Sequence, residues 1–68
     1  MDIGMNIRKL RLELGITQEE LCKDLMNRVV LNRIESGKSE PSIRQLLIIA
    51  ERLATDVNSI TKSTKEHQ

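Results

Sequence analysis

Apolar residues at the start of the chain recur at intervals of four, three and four residues, which is the spacing of one face of a helix. These residues are Ile3, Ile7, Leu10 and Leu14. Gly15 follows the last of them and suits the left-handed conformation that often ends a helix. The pattern therefore predicts a first helix over residues 3–14, with Asp2 as its N-terminal cap.

A second helix is indicated by a capping signal directly after this stop. Thr17 is followed three residues later by Glu20, which is the pattern of a capping box. The helix is predicted over residues 18–25, with Leu21 and Leu25 turned to the core.

A third helix follows closely, because Asn27 offers a new N-terminal cap with only Met26 before it. We expect it to span residues 28–36. Val29 and Val30 compete for an inward position, so only one of the two should be exposed. The predicted inward pair is Leu31 and Ile34, the outward residues are Arg28, Val29, Asn32 and Arg33, and the stop is Gly37.

Two more helices complete the pattern. Ser42 and Gln45 form a second capping box ahead of a helix at residues 43–53, and Asp56 caps a short helix at residues 57–61. The residues expected to be buried here are Ile43, Leu46, Leu47, Ala50, Leu53, Val57 and Ile60. The fold class is therefore all-α, with five helices.

Composition limits the chain to one domain, since 68 residues leave room for a single core. We place this domain at residues 1–61 and expect the polar end, residues 62–68, to be disordered. The chain has 11 basic and 10 acidic residues, a net charge of +1. The net charge alone therefore does not indicate a polyanionic partner.

Nothing in the sequence indicates an enzyme, a metal site or a cofactor. Cys22 and His67 are too few and too far apart to bind zinc, and no base accompanies the cysteine. Cys22 is best interpreted as a small core residue. A lone cysteine and the lack of a long apolar run favour a reducing, cytoplasmic setting without a membrane span.

Two capped helices joined by a tight turn, the second with outward polar side chains, are what a helix-turn-helix needs to enter the major groove of DNA. Periodicity alone also permits a protein-interaction module, such as an antitoxin-like bundle, and the small net charge favours that alternative. Basic residues converging on one face would indicate DNA, namely Arg28, Arg33 and Lys38. A broad apolar patch would indicate a protein partner, namely Val29, Val30 and Ile60.

Four sequence motifs carry a family resemblance. They are Ile-Arg-Lys-Leu-Arg at 7–11, Gly-Ile-Thr-Gln-Glu-Glu-Leu at 15–21, Leu-Asn-Arg-Ile-Glu-Ser-Gly-Lys at 31–38 and Pro-Ser-Ile-Arg-Gln-Leu-Leu at 41–47. Together they resemble the lambda-repressor and Cro type of helix-turn-helix, the xenobiotic-response-element family, over about residues 3–61. The resemblance implies a five-helix domain that binds double-stranded DNA, usually as a homodimer.

The turn before Asn27 is one residue shorter than is common in that family. This shortening is similar to the DNA-binding domains of peptide-responsive regulators of Gram-positive bacteria, the Rgg and PlcR group. Longer relatives of that kind continue into a regulatory helical-repeat domain and respond to a peptide effector. For a dimer of this chain, we expect the contact near the fifth helix, around Val57 and Ile60.

Helix three supplies the side chains suited to reading bases. Arg28 can bond guanine through O6 and N7, and Val29 can pack on a thymine methyl group. Asn32 can read adenine, and Arg33 can reach guanine or a phosphate. For Arg28 the ordinary alternative is a solvated charge, but the helix dipole slightly disfavours a cation there, which nearby DNA would explain. The full set of expected DNA-contacting residues is Gln18, Asn27, Arg28, Val29, Asn32, Arg33, Lys38 and Ser39.

The resemblance assigns the remaining roles. It implies that Gln18 touches the DNA backbone and braces helix three, and that Lys38 and Ser39 lie along the sugar-phosphate chain. It also pairs Arg11 with Glu35 as a structural ion pair rather than a DNA contact.

Overall fold

The computed structural model describes residues 3–61, all of whose regular structure is helical. The helices are α1 (Ile3–Leu14), α2 (Gln18–Cys22), α3 (Arg28–Glu35), α4 (Ile43–Arg52) and α5 (Val57–Thr61). The five-helix, all-α prediction is confirmed, and no strand occurs between residues 3 and 61. The expected cap Asp2 and the expected disordered tail at 62–68 with His67 lie outside the described residues.

The predicted caps set the starts of α2, α3 and α4. Thr17 Oγ1 accepts a hydrogen bond from the Glu20 amide at 3.1 Å, and the Thr17 amide donates to Glu20 Oε1 at 2.8 Å. Asn27 Oδ1 accepts from the Val30 amide at 3.1 Å, and Ser42 caps α4 in the same reciprocal way as Thr17. These bonds satisfy amides that the first turn of a helix leaves without partners.

The end of α2 differs from the prediction, because the helix stops at Cys22 rather than at residue 25. Asp24 adopts the left-handed conformation with φ of 61°, which a continuing helix does not permit. The amides of Leu25 and Met26 both donate to the Cys22 carbonyl oxygen, at 2.9 and 3.1 Å. The turn between the two helices therefore runs from Lys23 to Asn27, and Leu25 packs on the core from this turn.

The C-terminal end of α3 is closed by Gly37, which has a φ of 79°. Its amide donates to the Ile34 carbonyl at 3.1 Å, and the Lys38 amide donates to the Arg33 carbonyl at 2.9 Å. This pair of bonds is a Schellman motif, for which glycine is the usual residue. The motif fixes the backbone of Lys38 directly beneath the last turn of α3.

Aliphatic side chains form the core, as the lack of aromatic residues requires. The buried apolar residues are Ile7, Leu21, Cys22, Leu31, Ile34, Ile49, Ala50, Leu53 and Ile60. The cysteine is therefore a core residue, as expected. No helix within the described part of the chain is both long and apolar enough to cross a membrane.

Several burial predictions are wrong. Leu14 is 50% exposed, while Ile43 and Leu47 are 79% and 56% exposed. Ile49, whose burial was not predicted, is fully buried. The inward face of α4 therefore contains Ile49 and not Ile43 or Leu47. Apolar side chains run continuously from residue 46 to 50, so the sequence left the choice of face open.

The two valines of α3 also depart from expectation, because both are exposed. Val29 is 61% and Val30 37% accessible to solvent. The inward side of this short helix is filled by Leu31, Ile34 and Glu35, so neither valine is needed for the core.

Helix α1 passes unusually close to the end of α3 at Gly4. A Cβ atom added at Gly4 would overlap the carbonyl oxygen of Ile34 and lie 2.8 Å from its carbonyl carbon. Glycine is therefore needed for the approach of the two helices and not for its backbone freedom.

Candidate nucleic-acid interface

The outward side of α3 carries a continuous set of exposed side chains opposite the buried pair Leu31 and Ile34. Positions 28, 29, 32 and 33 share this side because helical neighbours recur at three and four residues. The set consists of Arg28, Val29, Asn32 and Arg33. It combines two guanidinium groups, one amide and one methyl-bearing side chain, which are the groups that read base edges in the major groove.

Gln18 links the start of α2 to this face. Its Nε2 donates to Asn32 Oδ1 at 3.3 Å and to Glu35 Oε1 at 3.1 Å. The bracing role that the resemblance implied is therefore present in the structure. The two bonds tie the first residue of α2 to α3 and so help to set the angle between the two helices.

Arg11 and Glu35 form the expected ion pair beneath the interface. Arg11 Nε donates to Glu35 Oε2 at 2.7 Å and Nη2 donates to Oε1 at 2.9 Å. A third bond runs from Arg11 Nη1 to the carbonyl oxygen of Ile16 at 3.0 Å. The two side chains are only 8% and 2% exposed. The hydrogen bond to Glu35 raises the pKa of Arg11, against the opposing effect of burial.

The loop after α3 stays close to that helix. Arg33 Nε donates to Ser39 Oγ at 3.2 Å, which brings these two predicted contact residues together. Lys38 is exposed next to them. Arg28 and Arg33 lie on the outward side of α3, and Lys38 lies in the loop directly after this helix.

The rival apolar patch does not form, because Ile60 is fully buried while Val29 and Val30 are exposed. The other predicted contact residue, Asn27, lies exposed at the start of α3, where its Oδ1 is used as the helix cap.

Sequence reasoning missed one basic residue, Arg8 of α1. Its side chain borders an open surface depression between the three N-terminal helices, together with Gln18, Arg28 and Asn32. The available signal was the run from residue 7 to 11, in which Arg8 stands one helical turn before Arg11. Helix α1 therefore adds Arg8 to the depression that Gln18, Arg28 and Asn32 also border.

Comparison with protein families agrees with this geometry. A model of the helix-turn-helix family, of the lambda-repressor and Cro-like type, matches residues 7–60. The chain belongs to this family, which is a family of DNA-binding domains. No curated protein sequence matches the chain.

Proposed function

We propose that this protein is a sequence-specific DNA-binding transcriptional regulator, or the DNA-binding domain of one, in which α3 enters the major groove. The observation that carries the proposal is the exposed outward face of α3, supported from behind by Gln18 and the Arg11–Glu35 pair. A recognition helix held by neighbouring elements can present its side chains in one orientation. The proposal also places the protein in the cytoplasm.

Base reading falls to Val29, Asn32 and Arg33. Val29 supplies methyl groups for thymine, Asn32 supplies an amide for adenine, and Arg33 reaches guanine or a neighbouring phosphate. Lys38 and Ser39, together with Gln18, Asn27 and Arg28, complete the contact surface and position α3 on the duplex.

Arg33→Ala is expected to weaken binding to the preferred duplex by about 1–3 kcal/mol, or roughly five- to 150-fold. Arg33 is exposed, so the variant should melt near the wild-type temperature. Lys9→Ala is the control, because Lys9 is an exposed basic residue on α1 that belongs neither to the outward face of α3 nor to α4. Fluorescence anisotropy with labelled duplexes measures both, and equal losses for the two variants would count against the assigned interface.

A homodimer is part of this proposal, since one small domain makes few base contacts. The contact expected at α5 cannot use Ile60, which is fully buried. The exposed side chains of Ile43 and Leu47 on α4 provide apolar surface instead. The DNA sites of such a dimer would be palindromic, with half-site centres about 34–36 Å apart.

Within the family, we place the chain nearest to the Rgg and PlcR group. The support is the shortened segment before Asn27, in the part of the chain that follows the end of α2 at Cys22. We propose with it that longer relatives carry a regulatory domain that responds to a peptide effector.

A protein-interaction module, including an antitoxin-like one, is the second candidate function. Its supporting observation is the exposure of Ile43 and Leu47 on one helix, since adjoining exposed apolar residues often mark protein contacts. Two results together would favour this candidate. The wild-type chain would bind no duplex DNA at low salt, and the Leu47→Glu substitution would abolish its binding to a protein partner.

A further inference from the structure

Two arginines from different helices face the same open depression. Arg8 lies on α1 and Arg28 in the first turn of α3, and both are exposed side chains that border it. Neither side chain forms a hydrogen bond or ion pair with any residue between 3 and 61. The third guanidinium at the depression, that of Arg11, is already held by Glu35.

One carboxylate, that of Glu19, borders the depression, but it forms no ion pair with Arg8 or Arg28 in the described part of the chain. Arg28 also stands where the positive end of the α3 dipole disfavours a cation. A phosphate group would relieve both conditions, because guanidinium groups bind phosphate oxygens through paired N–H donors. The acidic residue at the rim, Glu19, would instead repel a phosphate.

We propose that Arg8 and Arg28 together bind one phosphate of the DNA backbone, so that Arg28 positions the domain and does not read a base. The inference rests on the proposed function and deepens it. It differs from the sequence-based expectation, which gave Arg28 a guanine. Val29 and Arg33 do not border the depression, whereas Asn32 does, and all three keep the base-reading roles given above.

The test measures binding of the 68-residue chain to its preferred duplex, and to duplexes with single base-pair changes, over a range of salt concentrations. Arg8→Gln and Arg28→Gln should each weaken binding to every duplex by the same factor. Because only one phosphate is involved, the double variant should reduce the magnitude of the slope of log K against log salt by about 1 in total, and each single variant should reduce it by less. Because both side chains hold one phosphate, the loss in the double variant should be smaller than the product of the two single losses.

Lys9→Gln is the matched control, since Lys9 is the exposed neighbour of Arg8 and does not border the depression. It removes the same charge and should change the slope less than Arg8→Gln. Glu19→Gln should strengthen binding, and unchanged or weaker binding would count against the shared phosphate. Thermal melting checks that each variant is folded.

Two results would overturn the inference while leaving the proposed function intact. One is a change of base preference at a single position in Arg28→Gln, which identifies a base reader. The other is an Arg8→Gln variant that behaves like Lys9→Gln while Arg33→Ala still weakens binding. If the wild-type chain binds no duplex DNA at low salt, the proposed function fails and the inference falls with it.

Discussion

Glu35→Ala is expected to lower the free energy of unfolding by about 3–5 kcal/mol, because it leaves the guanidinium of Arg11 buried without its carboxylate. Three of the hydrogen bonds described above end on the Glu35 carboxylate, two from Arg11 and one from Gln18. A loss of this size approaches the whole stability of a small domain. Thermal and urea denaturation followed by circular dichroism measures it.

The control for Glu35→Ala replaces both charged residues at once. In Arg11→Met with Glu35→Leu no buried charge remains, so most of the lost stability should return. In the wild type, the stabilisation from the Arg11–Glu35 pair should not change with pH near neutrality. Because the pKa of Arg11 is raised, this stabilisation is complete below the ordinary pKa of arginine and declines only as pH rises through the raised value. A Glu35→Ala variant within about 1 kcal/mol of wild type would show that the pair behaves as an exposed one.

Gly4→Ala is expected to destabilise the protein by about 1–3 kcal/mol, because overpacking against rigid backbone forces α1 away from α3. The added Cβ would overlap the Ile34 carbonyl oxygen and lie 3.1 Å from the Cα of Glu35. These are backbone atoms, which cannot rotate aside as a side chain can.

The direction of the Gly4→Ala effect is decisive. Helix propensity alone predicts that alanine stabilises an interior helical position by about 0.5–1 kcal/mol relative to glycine. Met5→Ala at the next position is the control, because Met5 is 61% exposed and its replacement should change stability little. A rise in the melting temperature of Gly4→Ala would contradict the close packing of α1 on α3.

The local signals in the sequence predicted helix starts better than helix faces. Thr17, Asn27 and Ser42 cap their helices as expected, because a cap depends on a few neighbouring residues. The buried face of α4 depends on which neighbours it meets, and its run of apolar residues fits more than one orientation. The prediction therefore chose Ile43 and Leu47 and missed Ile49.

The candidate site also contains parts that the sequence predicts and a part that it does not. The outward residues of α3 follow from helical spacing, and the bonds of Gln18 and Arg11 follow from family resemblance. That Arg8 and Arg28 border one depression does not, because it depends on how α1 packs beside α3. Spacing within a single helix cannot predict which residues of two helices lie at one depression.

Selection of bound duplexes from a random pool tests most directly whether α3 reads DNA sequence. The wild-type chain should enrich one two-fold symmetric site, with half-site centres about 34–36 Å apart. The same selection with the folded Arg33→Ala variant should lose preference at one position in each half-site. Enrichment of no sequence by the wild-type chain, even at low salt, would contradict sequence reading by α3.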